Sequence, residues 1–192
     1  MVAERHNKLV IEAFFTYCQA NDEDLEQGHL LGRSARSRLR NWLRMFSTFT
    51  NPKAFYRTHD LRAAFYDLLA DPDSDLRRLS LECVLTWQDS SLVWHQDDFR
   101  NLLDSTQFRD TLLKMAHAVE DDAFPDNEWE QVIPIFIRIL FGNLIVSPGR
   151  SSSSHSKTLK KPAILSAFKG CSIQEIDLLV ELMLRPLRTS RD

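Results

Sequence analysis

The sequence predicts an all-α chain organised as a HEAT-like α-solenoid, an array of about four antiparallel helix pairs. Three observations carry that expectation. Apolar residues recur at the three- and four-residue spacing of a helix face along most of the 192 residues. Only five glycines occur, and no run alternates apolar and polar residues for long enough to make a strand. The stretch "LLADPDSDLRRLSLECVLTW", Leu68 to Trp87, holds a helix end, an acidic proline turn and a new helix start in close succession.

Val10, Ala13, Phe14, Tyr17 and Cys18 mark a first amphipathic helix that ends near "ANDEDLEQG". Leu39, Trp42, Leu43 and Phe46 mark a second, which "TNP" at Thr50 to Pro52 breaks. Leu61, Ala64, Phe65, Leu68 and Leu69 give a third the i, i+3, i+4, i+7, i+8 pattern. It ends at Asp71-Pro72, because proline has no amide for a continuing helix and pushes its predecessor out of the α region. Asp73 or Ser74 is then placed to cap the fourth helix. There Leu76, Leu79, Leu81, Cys83, Val84, Leu85 and Trp87 leave only a narrow polar strip with Arg78 and Glu82. A face that wide needs partners on both sides, as the inner helix of a solenoid has; a helix hairpin in a bundle is the plainer alternative.

Asp97 to Asp104 reads as a short helix, and Phe108, Leu112, Met115, Ala116 and Val119 as the next, with Ser105 or Thr106 as its cap. "DNEWEQVIPIFIRILFGNL" is apolar nearly all round after Glu130, as a central buried helix is, with Pro134 either kinking it or moving its start. "SPGRSSSSHSKTLKK" then offers so little to bury that a mobile loop is expected over 147–161. Structure should resume at Pro162, stop at Gly170, and restart with Ser172 and Glu175 in capping-box spacing before Ile176, Leu179, Val180, Met183 and Leu187. Solenoids close with a polar outer face, so a last helix this apolar makes residues 1–192 read as one helical segment of a longer solenoid.

Composition narrows the function classes. With 43% hydrophobic and 27% charged residues, the chain falls in the ordinary range of globular domains rather than disordered ones. Cys18, Cys83 and Cys171 are far apart and lie in apolar helical stretches, which suits buried free thiols in a reducing compartment better than disulfides or a metal cage. "MVAERHNKL" lacks the apolar centre of a secretory signal, and Val132 to Val146, which includes Pro134, Arg138 and Asn143, is short for a membrane span. There is no glycine-rich phosphate loop, no paired-histidine helix and no cysteine pair at metal-ligand spacing. His6, His29, His59, His95, His117 and His155 are scattered. The expectation is therefore a non-enzyme, with no catalytic residues, metal, cofactor, membrane or small-molecule substrate.

Charge is the more informative feature. The formal total is only −3, yet Arg33, Arg36, Arg38, Arg40, Arg44, Lys53 and Arg57 fall in a span free of Asp and Glu, while Glu120, Asp121, Asp122, Asp126, Glu128 and Glu130 cluster between Lys114 and Arg138. On a helix, Arg33, Arg36, Arg40 and Arg44 share one face. Such a stripe suits a row of phosphates, because a guanidinium donates two parallel hydrogen bonds and stays protonated. The seven basic residues are accordingly the candidate RNA-binding set. A solvated face or an acidic protein partner would produce the same pattern, and both readings stay open here.

"FSTFTNPKAFYRTHDL", "LLADPDSDLRRLSLECVLTW", "LLDSTQFRDTL" and "IPIFIRILFGN", in this order and spacing, resemble a segment of the U-three-protein-twenty family, also called down-regulated in metastasis. That resemblance implies an internal piece of a very large HEAT-type nucleolar protein of the small-subunit processome, which assembles with the U-three small nucleolar RNA on precursor ribosomal RNA. None of these motifs is catalytic, and the resemblance supplies no RNA-binding residues, so the arginine stripe rests on charge alone. The resulting expectation is a nucleolar scaffold whose partners are processome proteins and precursor ribosomal RNA or the U-three RNA. The alternative is a HEAT adaptor of another system, such as nuclear transport, that binds only proteins.

Overall fold

The computed structural model describes residues 2–26, 33–120, 126–146 and 154–188. In chain order its helices are α1 (Val2–Arg5), α2 (Asn7–Glu26), α3 (Arg33–Phe46), α4 (Thr58–Leu68), α5 (Ser74–Leu85), α6 (Ser90–Trp94), α7 (Gln96–Leu103), α8 (Phe108–Glu120), α9 (Asp126–Ile145), α10 (Ser154–Ala167) and α11 (Ile173–Arg188). Single 3₁₀ turns occupy Pro52–Ala54 and Phe168–Gly170. No strand occurs among the described residues, so the all-α expectation holds.

The acidic turn acts as its chemistry requires. Asp73 caps α5, its side chain accepting from the Asp75 and Leu76 amides, while the Asp71 carboxylate accepts from the Asp73 amide at 2.7 Å. These bonds satisfy amides that have no partner within the helix. Ser172 and Glu175 form the expected capping pair, the Ser172 amide donating to Glu175 Oε2 at 2.6 Å.

Behind the turn runs an aromatic spine. Phe14 of α2 meets Phe46 of α3 edge to face at 5.2 Å, Phe46 meets Phe65 of α4 at 5.4 Å, and Phe65 meets Trp87 at 5.9 Å. All four rings are buried, which places the strongest apolar contacts of the first half on one continuous line. α5 contacts α3, α4 and α7, the burial on several sides that its wide apolar face demands. α9 is the hub of the second half and contacts α4, α6, α7, α10 and α11. That explains why Val132, Ile133, Ile135, Phe136, Ile137, Ile139 and Leu140 can all be buried on one helix. The helix runs through Pro134, whose carbonyl accepts from Arg138 Nη1 at 3.0 Å.

Several expectations need correction. α2 buries Ile11 with Phe14 and leaves Ala13 exposed, so its inward face is rotated from the line drawn through Val10 and Ala13. The single turn α6 is additional. Neither Ser105 nor Thr106 caps α8; Asp104 instead accepts from both the amide and hydroxyl of Thr106, at 2.8 Å each, an Asx turn ahead of the helix. The expected mobile loop is helical from Ser154 onward, well before Pro162, and the rest of it, 147–153, lies outside the described residues. α10 packs on α8 and α9, with Ile164 and Ala167 buried, and Lys160 lies 4.7 Å over the Phe108 ring.

Candidate nucleic-acid interface

α3 forms because residues 33–46 contain no proline or glycine and place Leu39, Trp42, Leu43 and Phe46 on one side. Leu43 and Phe46 are fully buried against α5 and the aromatic spine. At 100° per residue, Arg36, Arg40 and Arg44 follow one flank of this apolar line and Arg38 follows the other.

The seven sequence candidates divide into two groups. Arg40 is an internal tie: Nη2 reaches Asp73 Oδ2 at 2.6 Å and lies 3.8 Å from Asp75, clamping α3 to the start of α5. Lys53 Nζ pairs with Asp89 at 3.0 Å. Arg57 adopts a left-handed backbone with φ 50°, pairs through Nε with Asp60 at 2.6 Å, and sets its guanidinium 4.4 Å over the Phe15 ring. These three charges are already answered within the fold. The span that lacks acids in sequence is supplied with them in space by α4, α5 and the Asp89 turn.

Arg36, Arg38 and Arg44 are different. All three are exposed and, among the described residues, none forms an ion pair. Arg38 reaches only the neutral Ser34 hydroxyl at 3.3 Å, and Arg44 only the Asn41 side-chain carbonyl at 3.4 Å. Arg36 sits near enough to Asp71 to oppose, by its charge, the rise that burial imposes on that carboxyl. Arg33 belongs to the α3 backbone, but its side chain lies outside the described residues. The arginines that form no ion pair among the described residues are therefore Arg36 and Arg44 on one flank of α3 and Arg38 on the other, a smaller set than the sequence proposes. Arginines so placed can make phosphate contacts without first breaking a salt bridge.

Sequence reasoning missed a buried polar node that holds the second half to the first. Arg77 on α5 is 3% exposed. Its Nη1 donates to the Asp71 carbonyl at 3.0 Å and its Nη2 to the Asn143 side-chain oxygen at 3.0 Å, and Asn143 Nδ2 donates to the Leu102 carbonyl at 3.4 Å. One guanidinium thus ties the α4–α5 turn, α7 and α9 together. Burial pulls Arg77 down to about 10, against the opposing pull of Asp71 and Asp73. Room for it exists because residue 142 is glycine: a Cβ there would stand 2.7 Å from Arg77 Cδ and 2.8 Å from Nη1. The resembling motif "IRILFGN" therefore carries an architectural role in its last two residues.

Among the described residues, no three metal-type side chains converge and no helix is long and apolar enough to cross a membrane. Residues 33–192 match the family described as U3 small nucleolar RNA-associated protein 20, N-terminal. The chain is 28% identical over 145 residues to U3 small nucleolar RNA-associated protein 20 of Schizosaccharomyces pombe, covering 75% of this chain and 6% of that protein. It is 28% identical over 173 residues to the protein of the same name from Saccharomyces cerevisiae, covering 88% of this chain and 7% of that protein. It thus spans a small part of the length of the curated relatives it matches. Because the family match takes in most of the chain, from α3 onward, this chain belongs to the U3 small nucleolar RNA-associated protein 20 N-terminal family.

Proposed function

We propose that this chain is a non-catalytic scaffold segment of ribosome biogenesis, a HEAT-like stretch of a longer α-solenoid in the nucleolar small-subunit processome. It supports precursor ribosomal RNA processing by holding assembly proteins, and it sets Arg36, Arg38 and Arg44 against RNA phosphates. Family membership supports the setting, since the matched relatives are named for association with the U3 small nucleolar RNA. The observation that carries the RNA contact is the charge left on α3: Arg36, Arg38 and Arg44 are exposed and form no ion pair among the described residues, while Arg40 on the same helix and Lys53 and Arg57 beyond it are paired within the fold. Contacts of this kind position an RNA without reading its sequence.

Ultraviolet crosslinking of the gene's own product in cells, followed by peptide mapping, tests the reading. RNA adducts are expected on peptides spanning Arg36 to Arg44. Protein adducts alone on this face would sink the RNA contact and favour a protein-only adaptor. Failure of the gene product to sediment with precursor ribosomal particles would sink the setting itself.

A further inference from the structure

α11 is apolar around most of its circumference, and the fold covers only half of that. Leu178, Leu179 and Leu182 turn inward, with Leu182 buried, and the helix packs on α9. Ile173, Ile176, Val180, Met183 and Leu184 form a second arc that faces outward and is between 40% and 77% exposed. Apart from the buried capping residue Glu175, the polar residues between Ile173 and Arg185 keep to one flank, Gln174, Asp177, Glu181 and Arg185. A helix that simply faced water would carry charge outward, as α3 does with Arg36, Arg38 and Arg44. Two apolar arcs on one helix are the pattern of an element packed from two sides, which is also how α5 and α9 read and how they are packed.

The outward arc does not end at the helix. Met183 is shared with an open groove of about 530 Å³ between the ends of α9 and α11, lined by Ala70, Phe141, Leu144, Ile145 and Leu182. Asp67, Asp71 and Arg185 line its rim as well, Asp67 and Arg185 as an ion pair at 2.9 Å. The groove continues the α9–α11 interface outward.

We infer that this arc and groove seat an amphipathic α-helix contributed by the same polypeptide from outside these 192 residues. Three observations select that occupant. The α11 arc itself carries no charge, and of the three charged residues that line the groove two, Asp67 and Arg185, answer each other, which leaves no cationic surface for nucleic acid. It extends an existing helix-on-helix interface, so the same side-chain interdigitation continues onto it. The curated relatives match this segment over only 6% and 7% of their own length, so most of such a polypeptide lies outside it, and a tethered helix meets the arc at high effective concentration. Of the proposed function, the inference uses only the statement that the chain is part of a longer solenoid. In a stack of repeats, each helix pair buries the face its neighbour leaves open.

The test is a benzophenone photocrosslinker placed at Met183, and separately at Ile176, in the gene's own product in cells, with adducts identified by mass spectrometry and the polar-flank position Asp177 as control. Both probes should give adducts within the same polypeptide, to sequence outside residues 1–192, and Asp177 should not. Adducts to a second copy, to another protein or to RNA, or no adduct from either probe, would overturn the inference. The outcome is separable from the RNA reading. Same-chain adducts at Met183 without RNA adducts on α3 would sink only the phosphate contact, and the reverse result would sink only the covering helix.

Discussion

Gly142→Ala is the most informative single substitution, because two effects of known sign compete at one atom. In an ordinary helix interior the change stabilises by about 1 kcal/mol, since alanine is the better helix former. Here the new Cβ would lie 2.7 Å from Arg77 Cδ, 2.8 Å from Nη1 and 3.1 Å from the Asp71 carbonyl oxygen. Nonbonded carbons prefer about 3.5–4.0 Å, so the guanidinium must retreat by roughly 1 Å. Arg77 is almost fully buried, and its bonds to the Asp71 carbonyl and Asn143 are each 3.0 Å long, so a shift of that size loses at least one of them. A hydrogen bond to a charged group contributes about 1.5–3 kcal/mol, and overpacking a core costs about 1–3 kcal/mol. Set against the helix gain, the expected net loss is about 1.5–5 kcal/mol. Urea unfolding followed by circular dichroism should show it, with a fall in Tm of about 2–4 °C per kcal/mol. The decisive control is the double-mutant cycle with Arg77→Ala, which removes the two closest atoms and leaves only the Asp71 carbonyl oxygen at 3.1 Å. In that background Gly142→Ala should be neutral or stabilising by up to about 1 kcal/mol. An equal cost in both backgrounds, or no cost in the native one, would refute the claim that residue 142 is glycine in order to admit Arg77.

Three further outcomes follow from other parts of the fold. Cys83 is buried and its thiol donates to the Leu43 carbonyl at 3.1 Å, so Cys83→Ser keeps an acceptor and should cost about 1 kcal/mol, the lower end of the roughly 1–3 kcal/mol for a polar group buried without a partner; a loss above about 3 kcal/mol by urea unfolding would contradict that bond. Gln88 is exposed and holds a left-handed φ of 49° just past α5, so Gln88→Gly should stabilise by up to about 1 kcal/mol in thermal unfolding, and a loss would argue against the left-handed turn. Glu4 accepts the Thr50 amide at 2.8 Å, the Asn51 amide at 3.1 Å and the Thr50 hydroxyl at 3.0 Å, which holds its carboxyl below the ordinary 4.5. Because the folded value is the lower one, this tie is present at neutral pH and lost as pH falls through that lowered value. Intrinsically corrected amide exchange at Thr50 and Asn51 should therefore speed up on acidification in the native chain and not in Glu4→Gln.

Much of the fold was legible because helix periodicity is local. The lines through Leu39, Leu43 and Phe46, through Leu61 and Phe65, and the proline turn capped by Asp73 all depend on residues within a few positions of one another, and each appears where the spacing puts it. What was not legible depends on distant partners. "DLRRLSL" holds two adjacent arginines, and nothing near them tells that Arg77 turns inward while Arg78 faces water. The answer lies at Gly142 and Asn143, 66 residues away from Arg77 in the case of Asn143. The basic set has the same blind spot. Counting charge along residues 33–57 cannot see Asp73 beneath Arg40 or Asp89 beside Lys53, so it does not tell which cations are already paired within the fold. In α11 the expected line through Ile176, Leu179, Val180, Met183 and Leu187 mixes two faces: Leu179 packs inward with Leu178 and Leu182, while Ile176, Val180 and Met183 point outward. A helix with two apolar arcs gives a periodicity that fits either one.

The measurement that bears most directly on the central claim is the salt dependence of RNA binding by this chain and by its Arg36→Glu, Arg38→Glu, Arg44→Glu variant. Arg40 is left in place, because its loss would unpair Asp73 at the start of α5. These three side chains are exposed and make no ion pair among the described residues, so helical content should hold, with a small fall in Tm because Arg36→Glu places a like charge near Asp71. Three phosphate contacts to single-stranded RNA predict a slope of log affinity against log salt of about −2, from about −0.7 per contact, and the variant should lose nearly all of it whatever the RNA sequence. If the variant binds RNA as tightly as the native chain and with the same slope, the α3 face does not contact phosphate, and the RNA part of the account is wrong.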